Sequence, residues 1–509
     1  MSDLKAKTVM IQGTGSGVGK SIITAALCRI FKEEGLRVAP FKAQNMALNS
    51  FVTIEGHEMG RAQAYQAEAC GLAPDVRMNP VLLKPSADNL SQVIVMGKPW
   101  GNRNAASYYK DSQVYWEVVK QAYQSLASEY DVIVIEGAGS PAEINLQDRE
   151  IVNMRMAAYA NAPVLIVADI DRGGVFAWIK GTYDLVAEIH RCRIKGFIIN
   201  KFRGDKKLLD PGIDSFERLV PVKVLGVIPF FKTIQVDEED SMFYRTSSEP
   251  VACEFVTIGI VPMPRLSNFT DFAPLFYEPD VRILVASNPE DMEQCDCIIL
   301  PGSKSTISDA LALEKRGWFA TIRSLYERGR FVAGICGGFQ MMGSSVHDPN
   351  QLEGLQKSVA GIGILPVETT MEQTKVLKQV SLTLRKSEIF DVPCKIYGYE
   401  IHMGTTMITD LSFPLFENDD GSAGIFKGHA MGTYVHGFFD EDRARRAFIN
   451  FLRKQKGYVA IEQGFVYRAF RDEQFSKLST LVRQNCNLEE IYRIMGMEGR
   501  KQVFEYPPL

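Results

Sequence analysis

A cysteine flanked by glycines is the first residue of this sequence that could carry out covalent chemistry. The run Gly334-Ile335-Cys336-Gly337-Gly338 follows an apolar stretch and precedes a helix-like one. Gly-x-Cys-x-Gly is typical of a nucleophile elbow, a sharp strand-to-helix turn whose glycines relieve crowding and expose the nucleophile. A helix N-terminus beneath the sulfur favours the thiolate, which is the attacking species. We therefore predict that Cys336 is a catalytic nucleophile.

A cysteine nucleophile needs a base, and the chain has six histidines. His436, within Gly-Thr-Tyr-Val-His-Gly, is best placed by chain order because it follows a β segment late in the same half of the chain. His402 and His429 remain competitors for this role. The backbone N–H of Gly337 and one from the loop around Gly302 are predicted to stabilise an oxyanion.

A glycine-rich segment near the start of the chain has the composition of a phosphate-binding loop. Glycines allow backbone N–H groups to turn inward at a helix N-terminus, a following lysine neutralises β/γ-phosphates, and a hydroxyl after it can bind Mg²⁺. Thr14 stands where the strict P-loop pattern has glycine. The predicted ATP-binding residues here are Gly13, Thr14, Gly17, Val18, Gly19, Lys20 and Ser21, with Ser21 also a metal ligand.

Other polar residues follow apolar runs that read as strands. Glu136 ends one such run and is predicted to hold Mg²⁺ directly or through water, a merely solvated carboxylate being the alternative. Lys42 is predicted to reach the γ-phosphate of ATP, although a surface lysine fits its spacing nearly as well. Asn200 and Lys201 follow a later strand, where related folds recognise the nucleotide base, and Asn200 is assigned to ATP binding.

These residues require an α/β framework. In the first half, β-branched apolar runs alternate with helical stretches, which predicts a doubly wound, mostly parallel sheet around the P-loop. A second α/β series follows from Phe255, then hairpin-like β segments and a helical tail, in which Asn487 resembles a helix N-cap. The predicted strands of the first sheet are Thr8–Gln12, Arg37–Phe41, Gln92–Met96, Asp131–Ile135, Pro163–Ala168, Lys195–Ile199 and Lys223–Ile228.

The acidic, serine-rich stretch at 232–253 lacks periodicity and marks a predicted domain boundary. We predict one domain over residues 1–235, a second over 252–445, and a helical extension over 446–509.

The composition of the chain argues against several classes of protein. With 509 residues, 46% of them hydrophobic and 23% charged, the chain reads as a globular protein of several domains. The formal net charge of -4 argues against a general nucleic-acid or membrane-surface binder. The first residues do not resemble a signal peptide, and no apolar run approaches the roughly 18 residues of a membrane span. Nine scattered cysteines favour a reducing compartment, so we expect a cytoplasmic protein.

The cysteine elbow and the later Gly-x-Tyr-x-His-Gly together resemble class I glutamine amidotransferases, which hydrolyse L-glutamine. That family usually carries a glutamate two residues after its histidine, where this chain has Phe438. The phosphate loop resembles that of dethiobiotin-synthetase-like enzymes. Longer runs are similar to corrinoid amidotransferases, namely Pro40–Ser50, Gly60–Gln63, Met78–Pro85, Ser91–Val93, Pro264–Phe272 and Leu300–Thr306.

This resemblance implies ATP-, Mg²⁺- and glutamine-dependent amidation of the b, d, e and g carboxylates of a corrinoid, adenosylcobyrinic acid a,c-diamide. It also implies that a Cys/His pair suffices in this branch. ATP would activate each carboxylate as an acyl phosphate, and a dry route would carry ammonia to it. Gln44 and Asn45, with Asn49 and Arg61, are expected to face the corrinoid carboxylates, a polar loop being an equal alternative.

Two rival functions remain at this stage. A cobyrinic acid a,c-diamide synthase shares the chemistry, but the run containing Gln44 and Asn45 argues against it. A non-catalytic ATPase switch of the partitioning type carries a second lysine five residues before the main one. Gly15 occupies that position here, which weakens the switch interpretation.

Overall fold

A computed structural model describes residues 6–87, 90–231, 234–235, 252–391, 393–410, 413–462 and 464–498. The chain divides into two compact units. One contains the described residues of 6–47, 58–235 and 471–498, and the other contains Leu48–His57 and the described residues of 252–470. Most of the predicted boundary segment at 232–253 lies outside the described residues, and the predicted domain limits stay a prediction.

The nucleotide unit, as we call the first, is built on a parallel sheet of six strands with the order β12-β11-β10-β1-β9-β2. Its central strands are wholly buried, as apolar strands covered on both faces must be. The strands of this half of the chain are β1 Lys7–Gly13, β2 Val38–Phe41, β3 Gln44–Met46, β4 Ser50–Val52, β5 Glu58–Gly60, β6 Val81–Ala87, β7 Leu90–Val95, β8 Lys98–Arg103, β9 Val132–Glu136, β10 Val164–Asp169, β11 Ile194–Phe202 and β12 Val224–Pro229.

The strand order reverses at β1, which lies between β9 and β10. This arrangement confirms the predicted doubly wound sheet, and the carboxyl edge at such a switch point is where ligands bind in open α/β sheets. The helices of this part are α1 Lys20–Glu33, α2 Arg61–Ala69, α3 Ala105–Lys110, α4 Ser112–Glu129, α5 Met154–Tyr159, α6 Val175–Leu185, α7 Glu188–Arg191 and α8 Lys206–Glu217, with a 3-10 helix at Val76–Met78.

One predicted strand belongs to a different sheet. The residues predicted as Gln92–Met96 form β7, which pairs antiparallel with β6 and with β8 rather than joining the parallel sheet. A separate four-stranded sheet results, with the order β3-β6-β7-β8. The placement was wrong because short-range hairpin pairing competed successfully with the parallel sheet for this apolar run.

The end of the chain returns to the nucleotide unit. Phe475, Leu478 and Val482 are almost completely buried in the same apolar core as α1. The predicted N-cap is confirmed, because the Asn487 side chain accepts a hydrogen bond from the backbone N–H of Glu490 at 3.0 Å. The late helices are α9 Ala273–Phe276, α10 Thr306–Lys315, α11 Trp318–Glu327, α12 Gly337–Met342, α13 Asp442–Gln455, α14 Tyr467–Asn485 and α15 Leu488–Ile494, with 3-10 helices at Phe269–Phe272, Pro289–Gln294 and Phe438–Asp440.

The elbow unit, as we call the second, contains a seven-stranded sheet with the order β14-β13-β15-β16-β23-β22-β21. The five strands from β14 to β23 are parallel, and β22 and β21 continue the sheet antiparallel. A second sheet has the order β18-β17-β19-β20-β24 and contains the predicted hairpin. The strands are β13 Val256–Ile260, β14 Val281–Val285, β15 Cys297–Leu300, β16 Phe331–Ile335, β17 Ser345–His347, β18 Ser358–Ala360, β19 Val367–Thr383, β20 Lys395–Ile408, β21 Phe413–Pro414, β22 Gly424–Lys427, β23 Ala430–Thr433 and β24 Val435–His436.

Helix α13 is fixed to this unit by buried ion pairs. Arg446 contacts Asp280 at 2.8 Å and Glu278 at 3.1 Å, and Arg445 contacts Glu278 at 2.7 Å. Each of these charges is paired with an opposite charge, which offsets part of the desolvation cost of burying it. Among the described residues, none of the helices combines the length and apolar character that a membrane crossing requires.

Candidate active site

Cys336 occupies a strained turn at the carboxyl end of a buried strand. It follows β16 directly and precedes α12, and its backbone φ of 52° and ψ of -113° lie where residues other than glycine are rarely found. A Cβ on Gly338 would approach the carbonyl oxygen of Leu300 to 2.0 Å, so only glycine fits there. The glycines thus permit the close helix–strand packing on which this turn depends.

The sheet brings the predicted base to the same edge. β23 lies next to β16, and the backbone N–H of Cys336 donates to the carbonyl of Thr433 at 2.8 Å. The chain then continues through Tyr434 into β24, which ends at His436. His436 is completely buried and Cys336 nearly so. The Cys336 thiol contacts the carbonyl oxygen of Ile401 at 3.5 Å.

A carboxylate that sequence reasoning missed completes this group. The Oδ2 atom of Asp271 lies 2.7 Å from Nδ1 of His436, and its Oδ1 accepts a hydrogen bond from the backbone N–H of Gly437 at 3.0 Å. Asp271 is buried and belongs to the 3-10 helix after β13. Asp271 therefore takes the orienting position that glutamate has in the usual triad, and the sufficiency of the Cys/His pair alone stays a prediction.

The Asp271 carboxylate changes the protonation of the base. Burial alone would lower the pKa of His436, but attraction to Asp271, their hydrogen bond and the neighbouring Cys336 side chain raise that pKa to about 10. The raised pKa favours the imidazolium form of His436 at neutral pH. Since Asp271 occupies Nδ1, Nε2 is the nitrogen available to the reacting groups.

The competing histidines are placed differently. His402 stacks on Tyr434 with ring centroids 3.7 Å apart, and its Nε2 lies 3.5 Å from a carboxylate oxygen of Glu400. His429 is exposed and precedes β23, at the opposite end of the strand from His436. Neither makes a contact comparable to that between His436 and Asp271.

The two glycines predicted for the oxyanion hole lie beside this group. A Cβ on Gly337 would be 2.9 Å from the backbone nitrogen of Ser303, the residue after Gly302. A Cβ on Gly302 would be 3.7 Å from Cε1 of His436. The two loops therefore lie next to each other, and the Gly302 loop borders His436. Their role as oxyanion donors stays a prediction.

The predicted phosphate loop has the shape that its glycines allow. It joins β1 to α1, and Gly17 and Gly19 have φ values of 70° and 101°. The Lys20 ammonium donates to the carbonyls of Gly15 at 2.7 Å and Gly139 at 3.1 Å. Gly13 ends β1, Thr14 and Val18 lie in the loop, and Ser21 stands in the first turn of α1. The N–H of Thr14 donates to the carbonyl of Val167 at 3.0 Å.

Glu136 is the centre of a buried polar cluster at the carboxyl end of β9. Its Oε1 accepts from the Ser21 hydroxyl at 2.8 Å and from the Lys42 ammonium at 3.0 Å, and its Oε2 accepts from Gln66 at 2.5 Å. Burial raises the pKa of Glu136, but Lys42 and these hydrogen bonds outweigh it and lower that pKa. Sequence reasoning missed Gln66, since nothing in its surroundings distinguishes it from an ordinary helix residue.

The remaining predicted residues contact protein groups. The Asn200 amide donates to the Val18 carbonyl at 2.9 Å, so it braces the phosphate loop. Gln44 accepts a hydrogen bond from the Tyr108 hydroxyl, and Asn45 is buried in β3. Asn49, which was expected beside them, belongs instead to the elbow unit, where its side chain accepts from the backbone N–H of Asn268 at 2.8 Å.

Within the described ranges, no group of three or more histidine, cysteine or acidic residues is arranged to hold a metal ion. All nine cysteines are free thiols.

The two sites and their frameworks define a class of protein: a glutamine amidotransferase joined to a nucleotide-binding domain. Residues 257–444 match the CobB/CobQ-like glutamine amidotransferase domain, and residues 9–242 match the CobQ/CobB/MinD/ParA nucleotide binding domain.

Whole-length relatives identify the family. A cobyric acid synthase of Thermoanaerobacter sp. is 44% identical, with 96% of this chain and 99% of the relative covered. A cobyric acid synthase of Carboxydothermus hydrogenoformans is 45% identical, with 97% of this chain and all of the relative covered. The chain belongs to the cobyric acid synthase family.

Proposed function

We propose that this protein uses ATP and L-glutamine to amidate the b, d, e and g carboxylates of adenosylcobyrinic acid a,c-diamide, giving adenosylcobyric acid in cobalamin biosynthesis. The observation that carries the proposal is the strained Cys336 elbow beside a buried His436–Asp271 pair, in a chain that also holds a phosphate loop. The full-length similarity to cobyric acid synthases supports the corrinoid as the substrate.

In the proposed glutaminase reaction, Cys336 attacks the carboxamide carbon of glutamine as a thiolate. The N–H groups of Gly337 and of the Gly302 loop stabilise the oxyanion as the C–N bond breaks. His436 gives its proton to the departing nitrogen, and ammonia leaves. Water then attacks the thioester carbon, His436 removes a proton from it, and glutamate is released with the thiolate restored.

In the proposed amide-forming reaction, a corrinoid carboxylate attacks the γ-phosphate of ATP and becomes an acyl phosphate. Lys20 and the backbone N–H groups of the phosphate loop stabilise the transferring phosphoryl group, and Lys42 adds positive charge nearby. Ammonia attacks the activated carbonyl, and phosphate leaves. A carboxylate cannot be amidated directly at useful rates, so the nucleotide site and the glutaminase serve one reaction.

The side chains at the end of β9 fit a Mg²⁺ ion. Ser21 Oγ and Glu136 Oε1 are 2.8 Å apart, and these two oxygens would be the protein groups that hold the ion. Bound there with the phosphates of ATP, Mg²⁺ would neutralise charge that develops during phosphoryl transfer. Lys42 keeps the Glu136 carboxylate ionised and ready to bind it.

Gln44 and Asn45 are proposed to face the corrinoid, and the reaction is proposed to take place in the cytoplasm. The first of these rests on their position in β3, after the strand end that carries Lys42. Replacement of either by alanine should raise the KM for the corrinoid while leaving the KM for glutamine unchanged.

The decisive experiment is mass spectrometry of the corrinoid product. The purified protein is incubated with adenosylcobyrinic acid a,c-diamide, ATP, Mg²⁺ and glutamine. Four successive mass changes, each that of one carboxylic acid becoming an amide, would support the proposal. Hydrolysis of glutamine with an unchanged corrinoid mass would contradict it.

The same assay distinguishes the two rival functions. An a,c-diamide synthase would amidate cobyrinic acid twice and leave the a,c-diamide unchanged. A non-catalytic ATPase switch would form no glutamate even with ATP, Mg²⁺ and corrinoid present.

A further inference from the structure

The catalytic imidazole is held by more residues than Asp271. The ring of Tyr399 stacks on that of His436, with centroids 5.2 Å apart and planes 17° from parallel. The Asn268 amide nitrogen lies 3.4 Å from Nδ1 of His436. Both neighbours are buried, so any change in their positions is transmitted to the imidazole rather than absorbed by solvent.

These two neighbours are themselves bound by a short segment from much earlier in the chain. The Asn49 side-chain oxygen accepts from the backbone N–H of Asn268 at 2.8 Å, and the N–H of Ser50 donates to the Asn268 side-chain oxygen at 3.0 Å. The Tyr399 hydroxyl donates to the Ser50 carbonyl at 3.2 Å, and Phe51 packs edge-on against the Tyr399 ring at 4.9 Å. Asn49 and Ser50 are nearly inaccessible to solvent.

Asn268 connects these contacts to the catalytic carboxylate. Its φ of 53° and ψ of 44° place it in the left-handed region, and its carbonyl accepts from the N–H of Asp271 to begin the 3-10 helix that presents the catalytic carboxylate. Hydrogen bonds from the early segment therefore fix the turn that positions Asp271.

The same hydrogen bonds determine which way the Asn268 amide points. Ser50 offers an N–H, so the side-chain oxygen of Asn268 must face Ser50 and its NH₂ must face His436. An NH₂ group beside Nδ1 cannot accept the imidazole proton, which leaves Asp271 as its acceptor. A reversed amide would present an oxygen to Nδ1 and compete with Asp271 for that proton.

We infer that Asn49 is a positioning residue for the glutaminase reaction, acting through Asn268 on His436 and Asp271. It belongs to the segment Leu48–His57, which is part of the elbow unit, whereas the residues before and after it in sequence belong to the nucleotide unit. The inference rests on the proposed glutaminase function of Cys336 and His436, and it does not depend on which acceptor receives the ammonia.

The test is steady-state glutaminase kinetics of the full-length protein with ATP, Mg²⁺ and adenosylcobyrinic acid a,c-diamide present. Asn49→Ala should lower kcat for glutamate formation about tenfold, the rate equivalent of losing roughly one hydrogen bond's alignment, with KM for glutamine little changed. Asn49→Asp retains an acceptor oxygen and should recover most of kcat. Ile54→Ala, in the same segment but 71% exposed, is the matched control and should match the wild type.

A double-mutant cycle examines the route of the effect. Asn268→Ala keeps the backbone N–H that donates to Asn49, so the cycle uses the catalytic carboxylate instead. If Asn49 acts by positioning Asp271, Asn49→Ala should slow Asp271→Asn much less than it slows the wild type. Wild-type kcat in folded Asn49→Ala, or fully additive losses in the double variant, would overturn the inference. Melting curves establish folding. If Asn49→Ala does not fold, Asn49→Ser replaces it, because its shorter side chain withdraws the acceptor oxygen from the Asn268 N–H. A wild-type kcat in Asn49→Ser would likewise overturn the inference.

The outcome is separable from that of the proposed function. A wild-type protein that hydrolyses glutamine without amidating the corrinoid would contradict the corrinoid proposal, yet the comparison of Asn49 variants would still be valid. A wild-type protein that forms no glutamate would contradict both.

Discussion

Asp271 Oδ2 and His436 Nδ1 lie 2.7 Å apart, although 165 residues separate them in the chain. The four neighbouring parallel strands β13, β15, β16 and β23 explain this proximity, since their carboxyl ends lead to Asp271, Gly302, Cys336 and His436 in turn. The site is a property of one sheet edge and of no single stretch of sequence.

Replacing Asp271 with asparagine should impair His436 as a base while keeping the size and shape of the side chain beside it. We expect Asp271→Asn to lower glutaminase kcat by about 10²- to 10⁴-fold, because the imidazole loses the charge that orients and protonates it. The pKa of His436 should fall, so the alkaline limb of the kcat/KM profile should move to lower pH. The exposed Glu290→Gln is the control, and an unshifted alkaline limb in Asp271→Asn would contradict the assignment.

The raised pKa of His436 also predicts how stability depends on pH. The folded pKa is about 10 and the unfolded value is about 6.5, so between these values the folded state binds more protons. The contribution of His436 to stability is therefore fully present below about pH 6.5 and is lost as pH rises through about 10. The melting temperature of the wild type should fall more between about pH 7 and pH 10 than that of His436→Gln. Parallel curves would contradict the shift.

The backbone strain at Cys336 predicts an unusual order of stabilities. Glycine accepts a φ of 52° without cost and alanine does not, so Cys336→Gly should be more stable than Cys336→Ala by about 1 kcal/mol. Ala333→Gly, in the preceding strand, should show the usual destabilisation by glycine. The melting temperatures of the two variants test this order. A lower melting temperature for Cys336→Gly than for Cys336→Ala would argue against strain at this position.

Two further substitutions should separate the two half-reactions. Cys336→Ala should abolish glutamine-dependent amidation and retain amidation with added ammonium salt, because only the nitrogen source is lost. Glu136→Gln should lower amidation with either nitrogen source by at least about 10²-fold, since it removes the carboxylate that faces Ser21 and Lys42. Loss of both activities in folded Cys336→Ala would contradict this division.

Helix α14 should contribute to the free energy of unfolding of the nucleotide unit through its buried apolar side chains. Leu478 is completely buried, and Leu478→Ala should cost about 2–5 kcal/mol of unfolding free energy. Leu208→Ala, 84% exposed in the same unit, should change stability by less than about 0.5 kcal/mol. Denaturant unfolding monitors both, and equal midpoints for the two variants would show that the helix does not support the core.

The sequence made some parts of the site recognisable because their chemistry is local. The glycines around Cys336 and in the phosphate loop are required by the turns in which they stand, so their spacing alone was informative. Asp271 lies in a run that resembles the corrinoid amidotransferases, but no neighbouring residue in the sequence indicates that its partner is a histidine. Its position is determined by the order of strands, which depends on contacts across the whole sheet.

The strands show the same contrast between features that are encoded locally and features that depend on distant segments. Continuous apolar runs correctly predicted β1, β9 and β10, which are buried on both faces. The run that forms β7 has similar composition, but its partners β6 and β8 lie in another sheet. Hydrophobicity decides that a segment is buried, whereas pairing depends on which neighbouring segments compete for it.

The segment Leu48–His57 bears on how such an enzyme could be divided between genes. A break anywhere in the stretch between the two family domains would leave Asn49, Ser50 and Phe51 on the opposite polypeptide from His436. A two-subunit version would have to recover these contacts when its subunits associate. A C-terminal fragment expressed alone would contain Cys336 and His436 but would lack the contacts that Asn49, Ser50 and Phe51 make with the residues around the imidazole. Fusion into one chain keeps these parts at equal stoichiometry.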